Sequence, residues 1–169
     1  MEKWDLYTKY REKTGREQVR GKTIPEGFYH LVVHIWIRNR KGEYLISQRS
    51  ADRPTFALMW ECVGGSVLLG ESSMDGALRE VKEEVGLDLD PEAGKILFTK
   101  VRCCFQDILD VWLFEYDGEL HLENATTAEV SDCRWMTVSE IRKLYEENQL
   151  VQTLEYFFRD VEAELTSNP

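Results

Sequence analysis

One short segment constrains this chain more than any other: three glutamates in a helical pattern, shortly after a pair of glycines. Glu80, Glu83 and Glu84 stand at positions i, i+3 and i+4, directly after Arg79. On a helix these carboxylates lie within about 100° of one another, and the apolar side chains of the segment gather on a different arc. The apolar arc consists of Met74, Leu78, Val81 and Val85. The segment therefore predicts a helix that packs through one face and collects negative charge on another.

The charge on this helix face predicts a cation site. Like charges four residues apart, here Glu80 and Glu84, destabilise an isolated helix by roughly 0.2–0.5 kcal/mol. The sequence places no lysine or arginine between them on that arc, so a bound divalent cation would supply the missing positive charge. Because carboxylates are hard oxygen ligands, they suit magnesium, manganese or calcium better than zinc or copper.

The composition is typical of a globular protein. A chain of 169 residues with 43% hydrophobic side chains can form a core without disulfides or structural metals. We expect one domain over residues 1–169, with an N-terminal strand and loop extension at 1–28 and a C-terminal helix at 151–165. No apolar run approaches membrane-spanning length, and the N-terminus lacks a signal pattern, so the expected location is cytoplasmic.

Charge and cysteine content argue against two kinds of binding site. The net charge of −10 argues against a nucleic-acid polymer as partner, because binding its backbone requires clustered lysine and arginine. It leaves room for a small phosphorylated ligand held by metal ions and a few local arginines. The four cysteines show no C-x-x-C spacing, which argues against a zinc cluster or a disulfide framework. We interpret them as buried free thiols; they are Cys62, Cys103, Cys104 and Cys133.

Hydrophobic periodicity and turn residues predict strands, one helix, more strands and then helices. The acidic helix is expected over Ser73–Val85, with Ser72 or Ser73 as its N-cap and Gly86 as its C-terminal stop. Strands are predicted at 4–10, 29–37, 44–48, 59–63, 96–102, 109–115 and 133–136, and further helices at 139–147 and 151–164. Residues 11–15 are predicted to form a turn. This order predicts a mixed sheet between helices, in the α/β or α+β class.

The segment from Gly65 to Leu87 resembles the signature of the Nudix hydrolases at every fixed position. It reads Gly65-x5-Glu71-x7-Arg79-Glu80-Val81-x-Glu83-Glu84-x-Gly86-Leu87 and covers 23 of 169 residues. Nine constrained positions at fixed spacing make the match specific. The resemblance implies the α/β Nudix fold, an α/β/α sandwich with a mixed β-sheet. It also implies hydrolysis of a diphosphate linkage, with Mg²⁺ or Mn²⁺ as cofactor.

The same resemblance implies roles for individual residues. Glu80, Glu83 and Glu84 are implied to bind the metal, and Gly64 is expected to approach it through its backbone. Arg79, Glu80 and Glu83 are implied to be catalytic, with Arg79 orienting the carboxylates. A metal ion that bridges phosphate oxygens neutralises developing charge and activates water, which agrees with this division of roles.

Two further residues of the segment are expected to organise it. Asp75, Arg79 and Glu83 are spaced four apart, so Arg79 is expected to fix Glu83 in place. Glu71 is a fixed position of the signature, and its expected role is to tie the preceding loop to the helix N-terminus.

Candidate substrate-binding residues lie outside the signature. Arg49 and Arg53 border the loop that precedes it and are candidates to hold phosphates through bidentate contacts. Trp60 and Phe105 are candidates to stack on a flat organic group, although burial in the core is the commoner role of such aromatics. The same holds for Phe56 and Trp112.

Candidates for an additional carboxylate, acting as a base or a further ligand, are Asp110 and Glu129, with Asp107 also considered. His30 and His34 are four apart on a predicted strand and therefore share a face. We interpret both as hydrogen-bonded core residues in preference to metal ligands.

Similarity to isopentenyl-diphosphate isomerases provides an alternative within the same superfamily. Residues 4–7 and 29–31 resemble those enzymes, which need a cysteine and a metal-binding histidine around the glycine turn. This chain has Gly64 and Ser66 at those positions, and Cys62 lies two residues too early. The missing groups favour hydrolysis. A non-catalytic Nudix module is a third hypothesis; it would keep the fold without the carboxylates, which are all present.

The sequence therefore predicts a metal-dependent hydrolase that cleaves a phosphoanhydride in a small diphosphate compound, with nucleoside diphosphate derivatives as the favoured class. Neither a membrane nor a nucleic-acid polymer is expected as a partner. Exposed strand edges and the aromatic-rich segment at 154–158 suggest a possible homodimer.

Overall fold

A computed structural model describes residues 1–162 of the chain. Its strands are β1 (Lys3–Tyr7), β2 (Lys13–Val19), β3 (His30–Arg38), β4 (Tyr44–Arg49), β5 (Trp60–Glu61), β6 (Val63–Ser66), β7 (Gly94–Arg102), β8 (Asp107–Glu115) and β9 (Val130–Met136). The two α-helices are α1 (Ser73–Val85), between β6 and β7, and α2 (Val138–Glu146), after β9. None of the helices in this part of the chain is long and apolar enough to cross a membrane.

The main sheet is mixed and is centred on β3. Its strand order is β5-β4-β3-β8-β7, with β6 also paired to β3 and β9 also paired to β4. Strands β3 and β8 run parallel and pair along their whole length, from His30 opposite Asp107 to Arg38 opposite Glu115. The other pairings of this sheet are antiparallel.

Alternating side chains give the main sheet two buried faces. Val33, Ile35 and Ile37 of β3 pack into one cluster, which contains the apolar side chains of α1. Trp36 points to the other face and joins a cluster with α2 and the C-terminal segment. Because successive strand residues face opposite sides, one strand supplies both cores. The predicted α/β/α sandwich with a mixed sheet is confirmed.

Helix α1 has the predicted bounds and well-formed caps. Ser72 is the N-cap, and its side chain forms a reciprocal capping box with Asp75. Gly86 ends the helix in the left-handed conformation, with φ 74°. A Cβ at Gly86 would lie 2.7 Å from the Ala125 nitrogen, so a larger residue would also push away the loop that crosses the helix end.

The N-terminal prediction was partly wrong. Strand β1 ends at Tyr7, and β2 begins at Lys13, within the predicted turn at 11–15. The two strands form a separate antiparallel sheet, here called the N-terminal hairpin (3–19). Because β2 is mostly polar and exposed and pairs with β1 alone, it lacks the apolar alternation by which strands are recognised.

The C-terminal prediction also needs correction. In place of an α-helix at 151–164, the described part of this segment contains a 3-10 helix at Gln152–Leu154 and a π-helix at Phe157–Val161. Residues 163–165 lie outside the described part of the chain. Tyr156 and Phe157 are both buried against Trp36, so adjacent side chains face the core and the α-helical stripe is broken. The segment 154–158 therefore packs within the monomer and offers little exposed apolar surface for a homodimer.

Three smaller expectations differ from the structure. The strand predicted at 59–63 is divided into β5 and β6 at Cys62, and the helix predicted at 139–147 is α2, which spans Val138–Glu146 with Thr137 as its N-cap. All four cysteines are free, but Cys103 and Cys104 are exposed in the turn between β7 and β8. Only Cys62 is fully buried.

Candidate active site

An open cleft lies where α1, β6 and the start of the chain meet. Its volume is about 480 Å³, including space open to solvent. Lining residues from the signature are Gly65, Arg79, Glu80, Glu83 and Glu84, together with the adjoining Gly64 and Ser66 from β6. The remaining lining residues are Glu2, Arg20, Arg53, Thr127 and Glu129. The structure thus brings together the three glutamates, Arg79, Gly64, Arg53 and Glu129 of the sequence predictions.

Arg79 organises the acidic face of α1. Its Nη1 donates to Glu80 Oε1 and to Glu83 Oε2, both at 2.9 Å. Its Nε donates to Glu71 Oε1 at 2.8 Å, and its Nη2 donates to the Ser66 carbonyl at 2.9 Å. Glu71 in turn accepts from the Leu68 backbone N–H at 2.9 Å, so it ties the loop to the helix. Arg79 is thereby held between the loop and two carboxylates.

Asp75 does not belong to this network. Its Oδ2 accepts hydrogen bonds from the backbone N–H and the hydroxyl of Ser72, at 3.0 and 2.6 Å. Of the expected contacts among Asp75, Arg79 and Glu83, the structure therefore forms the one between Arg79 and Glu83. Asp75 does not contribute, because it forms the capping box with Ser72.

Glu84 is the most deeply buried carboxylate of the cleft. The residue is 6% exposed, and its Oε2 is buried without a hydrogen-bond partner among the described residues. Burial raises the pKa of Glu84 well above its ordinary value, and the neighbouring Glu80, Glu61 and Glu129 raise it further. The backbone of Gly64 opposes this effect only in part. Without a cation, ionisation of Glu84 is therefore less favourable than ionisation of an exposed glutamate.

Glu80 lies in a similar environment but has a partner. Burial raises the pKa of Glu80, while the charge and hydrogen bond of Arg79 lower it. The balance is a raised pKa, because desolvation disfavours the charged form more than one shared arginine favours it.

Two glycines of β6 make room for these carboxylates. A Cβ at Gly65 would lie 2.2 Å from the Glu80 carboxyl carbon, and one at Gly64 would lie 2.7 Å from the Val33 carbonyl oxygen. Both distances are too short for any larger residue without displacement. Gly64 and Gly65 pair with His34 and Val33 of β3, so the sheet fixes their backbone beside α1.

The donor set fits a hard divalent cation. Glu80, Glu83 and Glu84 supply carboxylate oxygens beside the backbone of Gly64, and the unpartnered Glu84 oxygen needs a positive partner. As they stand, no three carboxylate, histidine or cysteine side chains within residues 1–162 converge closely enough to hold an ion. A cation would therefore require the carboxylates of Glu80, Glu83 and Glu84 to move closer together than they are here.

The loop that carries Glu129 is tied to the end of α1. The Glu83 carbonyl accepts from the backbone N–H groups of Thr126 and Thr127 at 3.0 and 3.1 Å, and from the Thr127 hydroxyl at 3.1 Å. Glu129 then reaches the cleft and forms an ion pair with Arg53 at 2.7 Å. Sequence reasoning missed Thr127. Unsatisfied carbonyls at a helix end require partners, but the sequence does not show which distant residue supplies them.

Sequence reasoning also missed Glu2 and Arg20. Arg20 Nη1 donates to Glu2 Oε2 at 2.6 Å, and both residues line the cleft from the N-terminal side. Neither residue belongs to a recognisable motif, so no local signal points to them.

Other predicted substrate residues lie elsewhere. Arg49 Nη1 binds Glu61 Oε1 at 2.5 Å, and Arg49 Nε donates to the Thr55 carbonyl at 3.0 Å. Trp60 is buried under the Arg134 guanidinium, and Phe105 is 54% exposed in the turn between β7 and β8. None of Arg49, Trp60 and Phe105 is among the residues that line the cleft.

Asp110 is also separated from the cleft. It is fully buried and pairs with Arg11 through both oxygens, one of them at 2.5 Å. The hydroxyls of Ser73 and Thr99 donate to it at 2.5 and 2.6 Å. Burial alone would raise the pKa of Asp110, but the hydrogen bonds from Arg11, Ser73 and Thr99 outweigh it and hold the pKa below its ordinary value. Asp110 therefore anchors the N-terminal hairpin, and of the two candidates for an additional carboxylate only Glu129 lines the cleft.

The remaining candidates have structural partners. Asp107 forms an ion pair with Arg102 at 2.7 Å. His34 Nδ1 and the Tyr156 hydroxyl are 2.7 Å apart, and burial lowers the pKa of His34 to about 3. His30 stacks on Trp4 with ring centroids 4.2 Å apart. Both histidines are therefore engaged within the fold.

Comparison with known proteins agrees with this geometry. The family model described as NUDIX domain matches residues 28–160. An uncharacterised Nudix hydrolase of Listeria monocytogenes is 34% identical over 160 residues, covering 94% of this chain and 91% of that protein. Shorter matches include an isopentenyl-diphosphate Delta-isomerase of Shigella flexneri, 33% identical over 63 residues, covering 37% of this chain and 35% of that protein.

Solved structures share the fold. The crystal structure of DR0079 from Deinococcus radiodurans has a TM-score of 0.76 at 20% identity, covering 94% of this chain and 99% of that one. A bifunctional NMN adenylyltransferase/ADP ribose pyrophosphatase from Francisella tularensis, complexed with AMP and a manganese ion, has a TM-score of 0.59 at 19% identity. It covers 82% of this chain and 42% of that one.

Proposed function

Because this chain belongs to the Nudix hydrolase family, we propose that it hydrolyses a phosphoanhydride bond in a small diphosphate compound with Mg²⁺ or Mn²⁺ as cofactor. The observation that carries this proposal is the buried Glu84, whose Oε2 has no partner among the described residues and which lies in a cleft with Glu80, Glu83 and Glu129. A carboxylate in this environment is stable in its charged form only beside a cation.

The cation would be held by Glu80, Glu83, Glu84 and the backbone of Gly64. When bound, it supplies positive charge to phosphate oxygens and lowers the pKa of water. Arg79 keeps Glu80 and Glu83 at the cleft surface through its hydrogen bonds, and Gly65 leaves space for the Glu80 carboxylate. These contacts make Arg79 a positioning residue.

Hydrolysis requires a carboxylate to accept a proton. The oxygen of a water molecule attacks one phosphorus, the P–O bond to the bridging oxygen breaks, and that oxygen leaves with the other phosphate group. The proton lost by the water passes to a carboxylate. Glu83 reaches the cleft with one oxygen bound to Arg79, and Glu129 lines the same cleft. We assign the proton acceptor to Glu83 and an accessory role to Glu129.

The substrate class rests on two kinds of support. Arg20 and Arg53 line the cleft together with the carboxylates, so an anionic group beyond the metal-bound phosphate would meet positive charge. Support for a nucleoside comes from fold likeness alone, since the Francisella tularensis protein holds AMP. We propose nucleoside diphosphate derivatives as the favoured class on this basis.

A substrate panel tests the proposal. The wild-type protein is incubated with Mg²⁺ and nucleoside di- and triphosphates, nucleotide sugars, dinucleoside polyphosphates, coenzyme A and isopentenyl diphosphate. We expect the wild type to hydrolyse at least one compound. Glu83→Gln should lower the rate of hydrolysis roughly a hundredfold or more, as is typical when a general base is removed. The exposed control Glu119→Gln should leave the rate unchanged. If wild type and Glu83→Gln are equally slow on every compound, the proposal is wrong.

The isomerase alternative receives weaker support. The matches to isopentenyl-diphosphate isomerases cover only 37% of this chain. Cys62 is 3% exposed and packs with Tyr156 in the core cluster on the α2 side of the sheet, while Gly64 and Ser66 line the cleft. Cys62 is therefore a buried core residue and does not line the cleft. Isomerisation of isopentenyl diphosphate without release of phosphate would favour this alternative.

A further inference from the structure

We propose that Arg20, delivered by the N-terminal hairpin, binds a phosphate group of the ligand in this cleft and thereby makes the hairpin part of the substrate-binding site. The inference deepens the proposed function and rests on it. The hairpin and Arg20 precede residues 28–160, the region that matches the family model.

Arg20 lies in the same cleft as the proposed catalytic carboxylates. It follows β2 directly and lines the same cleft as Glu80, Glu84 and Arg53. The charges of Glu129 and Glu80 contribute to raising the pKa of Arg20, after the larger effect of Glu2, so the guanidinium is within electrostatic reach of the catalytic carboxylates. A diphosphate with one phosphate beside those carboxylates would extend its other phosphate toward this side.

The three arginines of the cleft differ in what they can offer a ligand. Arg79 already donates to Glu71, Glu80, Glu83 and a backbone carbonyl, so its donors are occupied. Arg53 is paired with Glu129, and its Nε is buried without a partner among the described residues. Arg20 is the most exposed of the three.

The ion pair of Arg20 can exchange for a phosphate. The side chains of Arg20 and Glu2 are 53% and 48% exposed, and exposed ion pairs contribute little to stability. A guanidinium can also donate two parallel hydrogen bonds to a phosphate. Glu2 accepts from Arg20 at Nη1 and so does not use this capacity in full. Replacing Glu2 by a phosphate therefore costs little and forms stronger contacts.

The hairpin is held firmly enough to position Arg20. Arg11 is paired with the buried Asp110, and Tyr7 and Tyr29 exchange backbone hydrogen bonds at 2.8 and 3.0 Å. The Arg20 backbone N–H donates to the Glu2 carbonyl at 3.0 Å. A binding group on an already ordered backbone loses little entropy when the ligand arrives.

Calorimetric titration with imidodiphosphate, a diphosphate whose bridging oxygen is replaced by NH, measures this contact without turnover. In the presence of Mg²⁺ we expect Arg20→Ala to weaken binding roughly ten- to a hundredfold, as expected for loss of charge-assisted hydrogen bonds. Arg20→Lys should recover part of the affinity. Arg40→Ala, which removes the same charge from an exposed arginine paired with Asp117, should bind as wild type does.

The outcomes separate this inference from the proposed function. Equal affinities of wild type, Arg20→Ala and Arg40→Ala, or no binding of imidodiphosphate by the wild type, would overturn the role of Arg20. Binding that depends on Arg20 in a protein that hydrolyses no compound of the panel would instead refute the proposed function alone. With an active substrate, Arg20→Ala should raise KM with kcat nearly unchanged, whereas Glu83→Gln should lower kcat.

Discussion

At the scale of single residues, the environment of Glu84 is unfavourable for a charge. Its carboxylate is buried beside other acidic groups, with one oxygen unpartnered among residues 1–162. Gly65 has the complementary role, because its missing side chain is the space into which Glu80 fits. The proposed site therefore depends on Glu84, which disfavours the cation-free state, and on Gly65, which must remain small.

Replacing Glu84 by glutamine should stabilise the metal-free protein. The folded-state pKa of Glu84 is raised, so its contribution to stability is full below the unfolded value of 4.5 and is lost as pH rises through the folded value. Glutamine cannot ionise and avoids this loss. At pH 8 with EDTA we expect Tm to rise by roughly 2–4 °C, the shift that about 1 kcal/mol causes at this chain length.

Differential scanning fluorimetry with and without Mg²⁺ measures both consequences of Glu84→Gln. The Mg²⁺-induced rise in Tm should disappear in the variant and persist in Glu119→Gln, the exposed control. A full Mg²⁺ response in Glu84→Gln would show that Glu84 is not a ligand.

Gly65→Ala should displace Glu80 without unfolding the protein. The added Cβ would lie 2.2 Å from the carboxyl end of Glu80, a flexible group that can turn away. We expect weaker Mg²⁺ binding, similar to that of Glu80→Gln, with little change in Tm. In the double variant with Gly65→Ala and Glu80→Gln, the two losses of Mg²⁺ affinity should not add, because both substitutions remove the same ligand. Additive losses of Mg²⁺ affinity would place the effect of Gly65 elsewhere.

At the scale of elements, α1 and the N-terminal hairpin are joined through Asp110. Ser73, at the start of α1, and Arg11, between β1 and β2, both donate to this buried carboxylate. One side chain thus links helix α1 to the element that carries Arg20.

Arg11→Gln should loosen the hairpin selectively. Loss of its charge leaves Asp110 buried with only hydroxyl donors, which we expect to cost about 1–3 kcal/mol, below the range for fully buried pairs because Arg11 is 37% exposed. Hydrogen exchange should show faster exchange of β2 amides with α1 nearly unchanged, and no effect in Arg40→Gln. Unaltered protection of β2 would mean that other contacts hold the hairpin.

At the scale of the whole molecule, the raised pKa values of the acidic cleft would couple the proposed metal binding to pH. The pKa values of Glu84, Glu80 and Glu61 are all raised, primarily by burial. The stability that these groups contribute is full below their unfolded value of 4.5 and declines as pH rises through their folded values. Ionisation of the proposed ligand carboxylates at higher pH, in contrast, favours the binding of a cation.

The Mg²⁺-induced rise in Tm should therefore grow between pH 5 and pH 8. Metal ligands must be deprotonated, so binding at the lower pH has to displace protons from Glu80 and Glu84. Thermal unfolding in a series of buffers at constant ionic strength, with EDTA or Mg²⁺, measures this difference. A Mg²⁺ effect that stays constant over this range would contradict the raised pKa values.

Local sequence features predicted helix α1 well. The glutamate spacing, the Ser72 cap and the Gly86 stop act over a few residues, and the structure has the same bounds. Strands β3 and β8 were also predicted closely, because both are rich in apolar residues. In contrast, the polar strand β2 was missed, since its only strand partner is β1 and its side chains are mostly exposed.

The sequence by itself determined helix α1, the spacing of its carboxylates and the family, because these depend on short-range spacing. The tertiary structure decided which distant residues join them. It placed Arg20 and Glu129 in the cleft, and Asp110 in the anchor of the hairpin. Those positions depend on strand pairing and loop contacts between segments far apart in the chain, and local side-chain pattern does not record such contacts.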